Sequence, residues 1–496
     1  MTAIPALTTV RPATPYASNR REATSAAGTA TPSSIVSLSA EGRAAAQAAT
    51  DAQAPQRSPA ARFRDTGASL LESLKTRKTV GVDFQPVSRD ATHGFTLSVV
   101  TARGTKVDLS LSTRGDGMST QVAADAELNS DEREALAGLA QGFQDMIDGM
   151  TLDVPKIRLG ALAQLDTSVL QSIDLHAAVT LPTVPPALQS LDFHIDAGQR
   201  SMQADGPAGK VDVTVKTGML ESLGTKQQQA KAIDSYLKGI DKAAARGHGD
   251  AGLVTMFKDA FSDLSRTASR DGSARQSGLA LKQGSVPGIF AREDRAVLTG
   301  LADFSASISQ TPQYNNPVHR DEVDSFEYEV SQQTRSEGKS RADRSLGQVQ
   351  QSRLKAQFHT PLQEGVPLAF DFSAQSQNYK YHQVDDSARS SVALDYKDGR
   401  LRKASMEQTV SQSERIREYV LGRVISDQTI PAEHRLVRDL MATLAPYQTS
   451  EHGGKRDASS EAREARREAS LAALGEQFYL LGSATDLSAR DRALAQ

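Results

Sequence analysis

Residues 95–111 read FTLSVVTARGTKVDLSL, and this stretch decides the fold class. Apolar side chains occupy alternate positions in residues 95–99 and again in residues 107–111. A period of two places these side chains on one face of a β-strand, so each half predicts a half-buried strand. Gly104 lies between the halves, where glycine accepts the positive φ of a tight turn. The stretch therefore predicts an antiparallel hairpin.

The same period of two recurs along the chain. It is present in residues 80–84, returns in residues 172–217 and appears again in residues 321–420, including the run 368–372. The Asp-Gly pair at 398–399 suits a two-residue hairpin turn, because both residue types tolerate positive φ. Short turns between alternating runs predict an antiparallel meander.

Helical spacing fills the intervals between the strand regions. Asn129 and Glu132 form a capping pair ahead of the first helix. Residues 225–310 are predicted to be helical, and the last apolar stripe of this segment comprises Val297, Leu301, Phe304 and Ile308. Helix is predicted again after Pro431, with one apolar face formed by Leu436, Leu440 and Leu444.

Together these patterns predict an α+β protein, in which antiparallel β-meander sheets alternate with helical segments behind a long disordered N-terminal arm. The 496 residues are enough for two or three domains. The predicted segments are, in chain order, the disordered arm at 1–65, a β-rich domain with an inserted helix at 66–220, a helical segment at 221–312, a second antiparallel β region at 313–430 and C-terminal helices at 431–496.

The arm is dominated by Ala, Thr, Ser and Pro, and it has few large apolar side chains to offset the entropy of ordering. Its one patterned segment is IVSLSAEGRAAAQ at residues 35–47, where Ser39 could cap a short helix. About ten of these residues resemble the V-S-L-S-x-E-x-R-like segments of bacterial flagellar and export-linked proteins. The resemblance implies an export-linked bacterial protein, whereas the acid-poor start also fits an organellar transit peptide.

Composition narrows the classes of partner and compartment. The 57 basic and 60 acidic side chains leave a net charge of -3, which predicts no nucleic-acid partner. No apolar run approaches the roughly 20 residues of a transmembrane helix, and the first residues lack the apolar core of a secretory signal. The absence of cysteine excludes disulfides and thiolate chemistry, and it suits a protein that passes unfolded through a narrow export channel. We therefore expect a secreted or cell-surface protein exported by a non-Sec route, with the cytoplasm as the alternative.

An internal repeat carries the candidate site. Residues 170–176 read LQSIDLH and residues 188–194 read LQSLDFH. If the two copies form neighbouring strands, alternation places their polar side chains on one face and brings them together. Imidazole and carboxylate groups are ligands suited to a divalent transition metal. The predicted metal ligands are Asp174, His176, Asp192, His194 and Asp196, and the alternative is a solvated strand face with charge-paired histidines.

Catalytic signatures are missing from the sequence. It contains no G-x-S-x-G elbow, H-E-x-x-H helix, P-loop or EF-hand loop. The segment GHGDAG at residues 247–252 satisfies G-x-G-x-x-G, but it follows a predicted helix rather than a strand, so it indicates a linker in which Asp250 caps the next helix. We therefore predict no catalytic residues and no cofactor, although triads that only the fold assembles stay possible.

The sequence favours a non-enzymatic, exported or surface-associated bacterial protein that acts through contact with a protein partner. Broad antiparallel sheets with one polar face are the surfaces expected to make that contact. Two alternatives stay open: a metal-binding protein or metal-dependent hydrolase centred on the repeated D-x-H strands, and a carrier whose curved sheets enclose a lipid or another apolar ligand.

Overall fold

The computed structural model describes residues 62–75, 91–115, 117–152, 155–163, 168–217, 223–266, 292–338, 340, 342–447, 466, 470–471 and 473–495. Nearly all of the predicted arm and the predicted strand at residues 80–84 lie outside these ranges. Across the described ranges, no helix combines the length and apolarity that a membrane span requires.

All thirteen described strands belong to one antiparallel sheet. Its order is β13-β12-β11-β10-β9-β8-β7-β6-β5-β4-β1-β2-β3, so almost every strand pairs with its neighbours in the chain. The strands are β1 (His93–Thr101), β2 (Lys106–Arg114), β3 (Gly117–Ala124), β4 (Leu170–Leu181), β5 (Ala187–Ile195), β6 (Gln199–Gly206), β7 (Gly209–Lys216), β8 (Asp303–Gln310), β9 (Ser325–Gly338), β10 (Arg344–Pro361), β11 (Tyr379–Lys397), β12 (Arg400–Val420) and β13 (Arg423–Asp439). The predicted antiparallel meander is confirmed.

Two turns show why these strands pair as they do. Gly104 between β1 and β2 has φ 89°, and Asp398 and Gly399 between β11 and β12 have φ 52° and 74°. Positive φ at both central residues gives the twist that matches paired strands, so the Asp-Gly pair forms the predicted two-residue hairpin. The turns therefore set the register of the strands on either side.

The described helices are α1 (Thr66–Glu72), α2 (Ser130–Gly138), α3 (Ala140–Met150), α4 (Lys226–Gly247), α5 (Ala251–Ser265), α6 (Arg292–Ala296), α7 (Met441–Leu444) and α8 (Ala484–Ala495). The predicted capping pair at Asn129 is confirmed, since its side chain and that of Glu132 bond reciprocally to backbone N–H groups. Tyr236 of α4 and Phe261 of α5 both meet Phe304 of β8 edge to face, with ring centroids 5.0 Å apart. The apolar core thus lies between these helices and one face of the sheet.

The two faces of the sheet differ in burial. In β4, β5 and β7 most apolar side chains are buried, with Leu188 as an exception, whereas most polar ones between them are exposed or half-buried. We call the face that packs on the helices the covered face and the opposite one the free face. Strands whose side chains alternate between buried and exposed are typical of an antiparallel sheet with one face in water.

The prediction of helix up to residue 310 was wrong, because residues 303–310 form β8. Phe304 and Ile308 are four residues apart, a spacing that fits one face of a helix and also one face of a strand. Ala306 between them is buried too, which only a period of two explains. Pairing with β7 on one side and with β9 on the other provides hydrogen-bond partners for the backbone N–H and C=O groups of this segment.

The prediction of helix directly after Pro431 was also wrong. β13 continues through Pro431 to Asp439, paired with β12, and helix begins only at Met441. Proline is tolerated here because β13 is an edge strand, where a missing N–H can face away from the paired neighbour. Four apolar side chains of β13 are 52–60% exposed, namely Val424, Ile425, Ile430 and Val437.

A third correction concerns the predicted strand at residues 368–372, which is irregular backbone between β10 and β11. Leu368 and Phe370 pack there against a cluster of Tyr379, Tyr381 and Tyr419 at one end of the free face. Their alternation reflects contact with this small aromatic cluster and not pairing in a ladder.

Candidate functional site

Two rows of polar side chains cross ten strands of the free face, perpendicular to the strands. The first row, read off the pairing registers, is Thr96, His176, Asp192, Gln203, Asp212, Ser307, Glu329, Arg353, Ser387 and Ser411. The second row is Ser98, Asp174, His194, Ser201, Thr214, Ser305, Ser331, Gln351, Arg389 and Thr409. At about 4.8 Å per strand, each row is about 43 Å long.

The two rows line one continuous trough. Its two adjoining parts have volumes of about 370 Å³ and about 790 Å³, and Asp212 lines both. The first part spans β1 and β4–β7, and the second spans β7–β12. Hydroxyl, amide, carboxylate, imidazole and guanidinium groups dominate the side chains along it, so the trough suits a polar occupant.

The predicted site residues lie at one end of this trough, and the structure brings them together. Antiparallel pairing of β4 with β5 sets Asp174 opposite His194 and His176 opposite Asp192. The Nδ1 atom of His194 is 2.6 Å from a carboxylate oxygen of Asp174, and that of His176 is 2.7 Å from one of Asp192. Asp196, just beyond β5, is 3.4 Å from Nε2 of His194. The predicted convergence of the two repeats is therefore confirmed.

His194 is held between two carboxylates, and this changes its acidity. Partial burial lowers its pKa, but the hydrogen bonds and negative charges of Asp174 and Asp196 outweigh burial and raise the pKa above 6.5. Burial raises the pKa of Asp196, but the backbone N–H groups of Gln199 and Gly198 and the imidazole of His194 lower it overall. At mildly acidic pH this end of the trough therefore carries an imidazolium between two carboxylates.

We expect the imidazole of His194 to titrate above pH 6.5, and replacement of Asp174 with asparagine to move its pKa downward. The reason is that the variant keeps the shape but removes one of the two charges that favour the imidazolium. A pH series of two-dimensional NMR spectra of the ring nitrogens measures this. Asp192→Asn is the matched control, since it alters the partner of His176 and should leave His194 unchanged. A wild-type pKa at or below 6.5 would contradict the assignment.

The predicted metal ligands are arranged as His–Asp hydrogen bonds. In the part of the chain that the structure describes, no three His, Asp or Glu side chains are grouped so that they could hold a metal ion. Each Nδ1 of His176 and His194 instead lies against a carboxylate of the neighbouring strand. A metal ion would have to compete with these bonds. The metal assignment of the five residues stays a prediction.

A buried polar cluster at one end of the free face was missed by the sequence analysis. Glu322 is 1% exposed and accepts hydrogen bonds from the hydroxyls of Tyr379 at 2.7 Å and Tyr419 at 2.6 Å. His359 Nε2 and Arg417 Nη2 each lie 3.3 Å from its carboxylate. We call these five side chains the Glu322 cluster. No sequence motif indicates this cluster, because Glu322 lies in the connection between β8 and β9 and its partners lie on three other strands.

The charges of the Glu322 cluster support one another. Burial raises the pKa of Glu322, but the bonds from His359 and the two tyrosines, together with the charge of Arg417, lower it overall. Burial lowers the pKa of His359, but Asp324 and Glu322 raise it overall. Burial and the adjacent carboxylate raise the pKa of both tyrosines. Since the carboxylate is occupied by these partners, the cluster fastens the chain between β8 and β9 to the sheet.

The G-x-G-x-x-G segment at residues 247–252 is the predicted linker. It joins α4 to α5, and the Asp250 side chain accepts a hydrogen bond of 2.8 Å from the backbone N–H of Leu253. His248 adopts φ 54° and ends α4 in the left-handed conformation. The segment therefore performs two capping functions and does not follow a strand, as a dinucleotide site requires.

Comparison of the chain with models of known protein families, with curated proteins and with solved structures gives no match.

Proposed function

We propose that this protein is a non-enzymatic binding protein that holds a protein partner along the trough of its free face. The observation that carries the proposal is the pair of polar rows across ten strands, which form one continuous lined surface. Such a surface is far longer than a small-molecule site needs, and its length fits the dimensions of protein interfaces.

The chemistry of the trough favours a protein over the other partner classes. Both signs of charge alternate with hydroxyl and amide groups, so the trough lacks the uniform basic surface that binds a phosphate backbone. In the strands that form the trough, most apolar side chains point to the covered face and pack on helices of the same chain, which argues against a lipid cargo in the trough. Polar side chains of mixed type are instead what a protein surface offers and recognises.

The test blocks the trough without changing the core. Ser331→Trp, in the second row on β9, is compared with wild type and with Gln227→Trp on the exposed side of α4. After circular dichroism shows that the three proteins are equally folded, each is used to purify binding partners from an extract of the source cells. We expect at least one protein to be bound by wild type and by Gln227→Trp but lost with Ser331→Trp. Identical sets of bound proteins for all three would overturn the proposal.

We also propose that the protein is exported by a non-Sec route and works outside the cytoplasm. Support comes from the absence of cysteine and from the composition of the arm. Deleting residues 1–60 and assaying culture medium and cell pellet tests this. We expect the full chain in the medium and the truncated chain in the cells. Retention of both forms inside the cells would favour the cytoplasmic alternative.

A further inference from the structure

Two charges in the trough lack a counter-charge. Within the described part of the chain, Asp212 of β7 and Arg389 of β11 form no ion pair and no side-chain hydrogen bond. The other charges of the two rows have local compensation. The histidines pair with aspartates, and Glu329 lies directly opposite Arg353, which is also 3.6 Å from Asp385.

The side chains directly opposite each unpaired charge on the neighbouring strands are neutral. Asp212 lies between Gln203 and Ser307 of its row, whereas Arg389 lies between Gln351 and Thr409. The Asp212 side chain is exposed, and partial burial by its neighbours raises the pKa of its carboxyl, so the carboxylate gains from an added cation. The trough thus presents one isolated anion and one isolated cation to its occupant.

The separation of the two charges defines a spacing. Asp212 belongs to the first row on β7, and Arg389 belongs to the second row on β11, four strands away. Arg389 lies two residues along β11 from Ser387, the residue of that strand in the first row. At about 4.8 Å per strand, with an offset of two residues along the strands, their Cα atoms are about 20 Å apart. An extended peptide rises about 3.3 Å per residue, so about six residues cover this distance. Residues six apart in an extended chain also point to the same side.

We propose that the occupant of the trough is an extended polypeptide segment that carries a basic and an acidic side chain six residues apart. The basic side chain pairs with Asp212 and the acidic one with Arg389, while the rows of hydroxyl and amide groups bind the chain between them. This inference rests on the proposed function and specifies the chemistry of the partner. Charge complementarity at two points orients the segment and selects against sequences of other spacing.

The test uses labelled synthetic peptides in a background of Gly, Ser and Gln, measured by fluorescence anisotropy on the full chain. One peptide carries Lys and Glu six residues apart, a second carries them three apart, and a third carries two lysines six apart. We expect the first to bind about tenfold more tightly than the other two, and its affinity to fall with added salt. Equal binding of all three would overturn the proposal.

Charge exchange on the protein gives the sharper result. We expect Asp212→Arg and Arg389→Glu each to weaken the first peptide about tenfold. The double variant should restore its affinity, because the peptide can then lie in the opposite direction at the same spacing. Asp234→Arg on the exposed side of α4 is the matched control and should have no effect. Failure of the double variant to restore binding would contradict the two-point contact.

The outcomes separate this inference from the proposed function. If a partner purified with wild type is lost with Ser331→Trp but retained by both charge variants, the trough binds a protein and the two-charge contact is wrong. Light scattering tests for one other occupant by measuring the oligomeric state. A dimer of wild type that Ser331→Trp abolishes would identify a second copy of this chain in the trough and would overturn the assignment to an extended segment. Binding of an oligosaccharide in competition with the first peptide would likewise overturn the assignment to a polypeptide.

Discussion

Replacement of Asp294 with alanine is expected to lower the free energy of unfolding by about 3–5 kcal/mol. Asp294 in α6 is fully buried, and its carboxylate accepts hydrogen bonds of 3.0 Å from both Nε and Nη2 of Arg344. The hydroxyl of Tyr396 donates a further bond of 2.8 Å, and the guanidinium lies 3.5 Å over the Tyr396 ring. Without the carboxylate, the buried guanidinium loses its compensating charge, which is the main cost.

Urea unfolding followed by circular dichroism measures this change. Asp234→Ala is the control, since its pair with Lys238 is exposed on α4 and should contribute less than about 0.5 kcal/mol. The double variant Asp294→Leu with Arg344→Met removes both charges and should regain most of the lost stability. A loss below about 1 kcal/mol for Asp294→Ala would show that water reaches the guanidinium after all.

Replacement of Glu322 with alanine is expected to cost about 3 kcal/mol, because it removes the shared acceptor of the Glu322 cluster. Two tyrosine hydroxyls, the His359 imidazole and the Arg417 guanidinium then lack their common partner in a buried site. Glu322→Gln keeps the shape and one acceptor oxygen, so its loss should be smaller. Urea unfolding measures both, and equal stability of the three proteins would contradict a structural role for the cluster.

The pH dependence of stability gives a second measurement on the Glu322 cluster. The pKa of His359 is raised in the folded state, so its contribution is complete below pH 6.5 and is lost as the pH rises through the folded value. The pKa of Glu322 is lowered, so its contribution is complete above pH 4.5 and is lost as the pH falls through the folded value. Wild type should therefore gain most from the cluster between pH 4.5 and 6.5, and Glu322→Ala should flatten this maximum.

The strands were largely predictable from the sequence because their evidence is local. Alternation in residues 95–111 reports burial on one face, and the Asp-Gly pair at 398–399 reports a hairpin. The errors occurred where a spacing of four residues fits both periods, as for Phe304 and Ile308, or where the leucines at 436, 440 and 444 bridge the end of β13 and the start of α7. Tertiary pairing decides such segments, and propensity does not.

The candidate site was predictable only in part, for a related reason. The two D-x-H repeats could be recognised in the sequence, because two consecutive segments of similar sequence form neighbouring strands in the sheet. The juxtaposition of Glu329 with Arg353 depends on the register of one hairpin, whereas the isolation of Asp212 and Arg389 depends on the registers of several strand pairs, including β7 with β8. Register follows from turn geometry and from packing on the covered face, and the sequence shows it only where the turn is short and recognisable, as at residues 398–399.

The strand order also has a consequence for the kinetics of folding. Most neighbours in the sheet are joined by short turns, but β1 meets β4 only after residues 102–169, and β7 meets β8 only after residues 217–302. These two contacts require large loops to close, whereas the connections within β1–β3, β4–β7 and β8–β13 are much shorter. The three groups of strands are therefore expected to form early and to pair with one another slowly, through the β1–β4 and β7–β8 contacts. The trough crosses both of these contacts, so the ability to bind a partner should appear only with the last kinetic phase of folding.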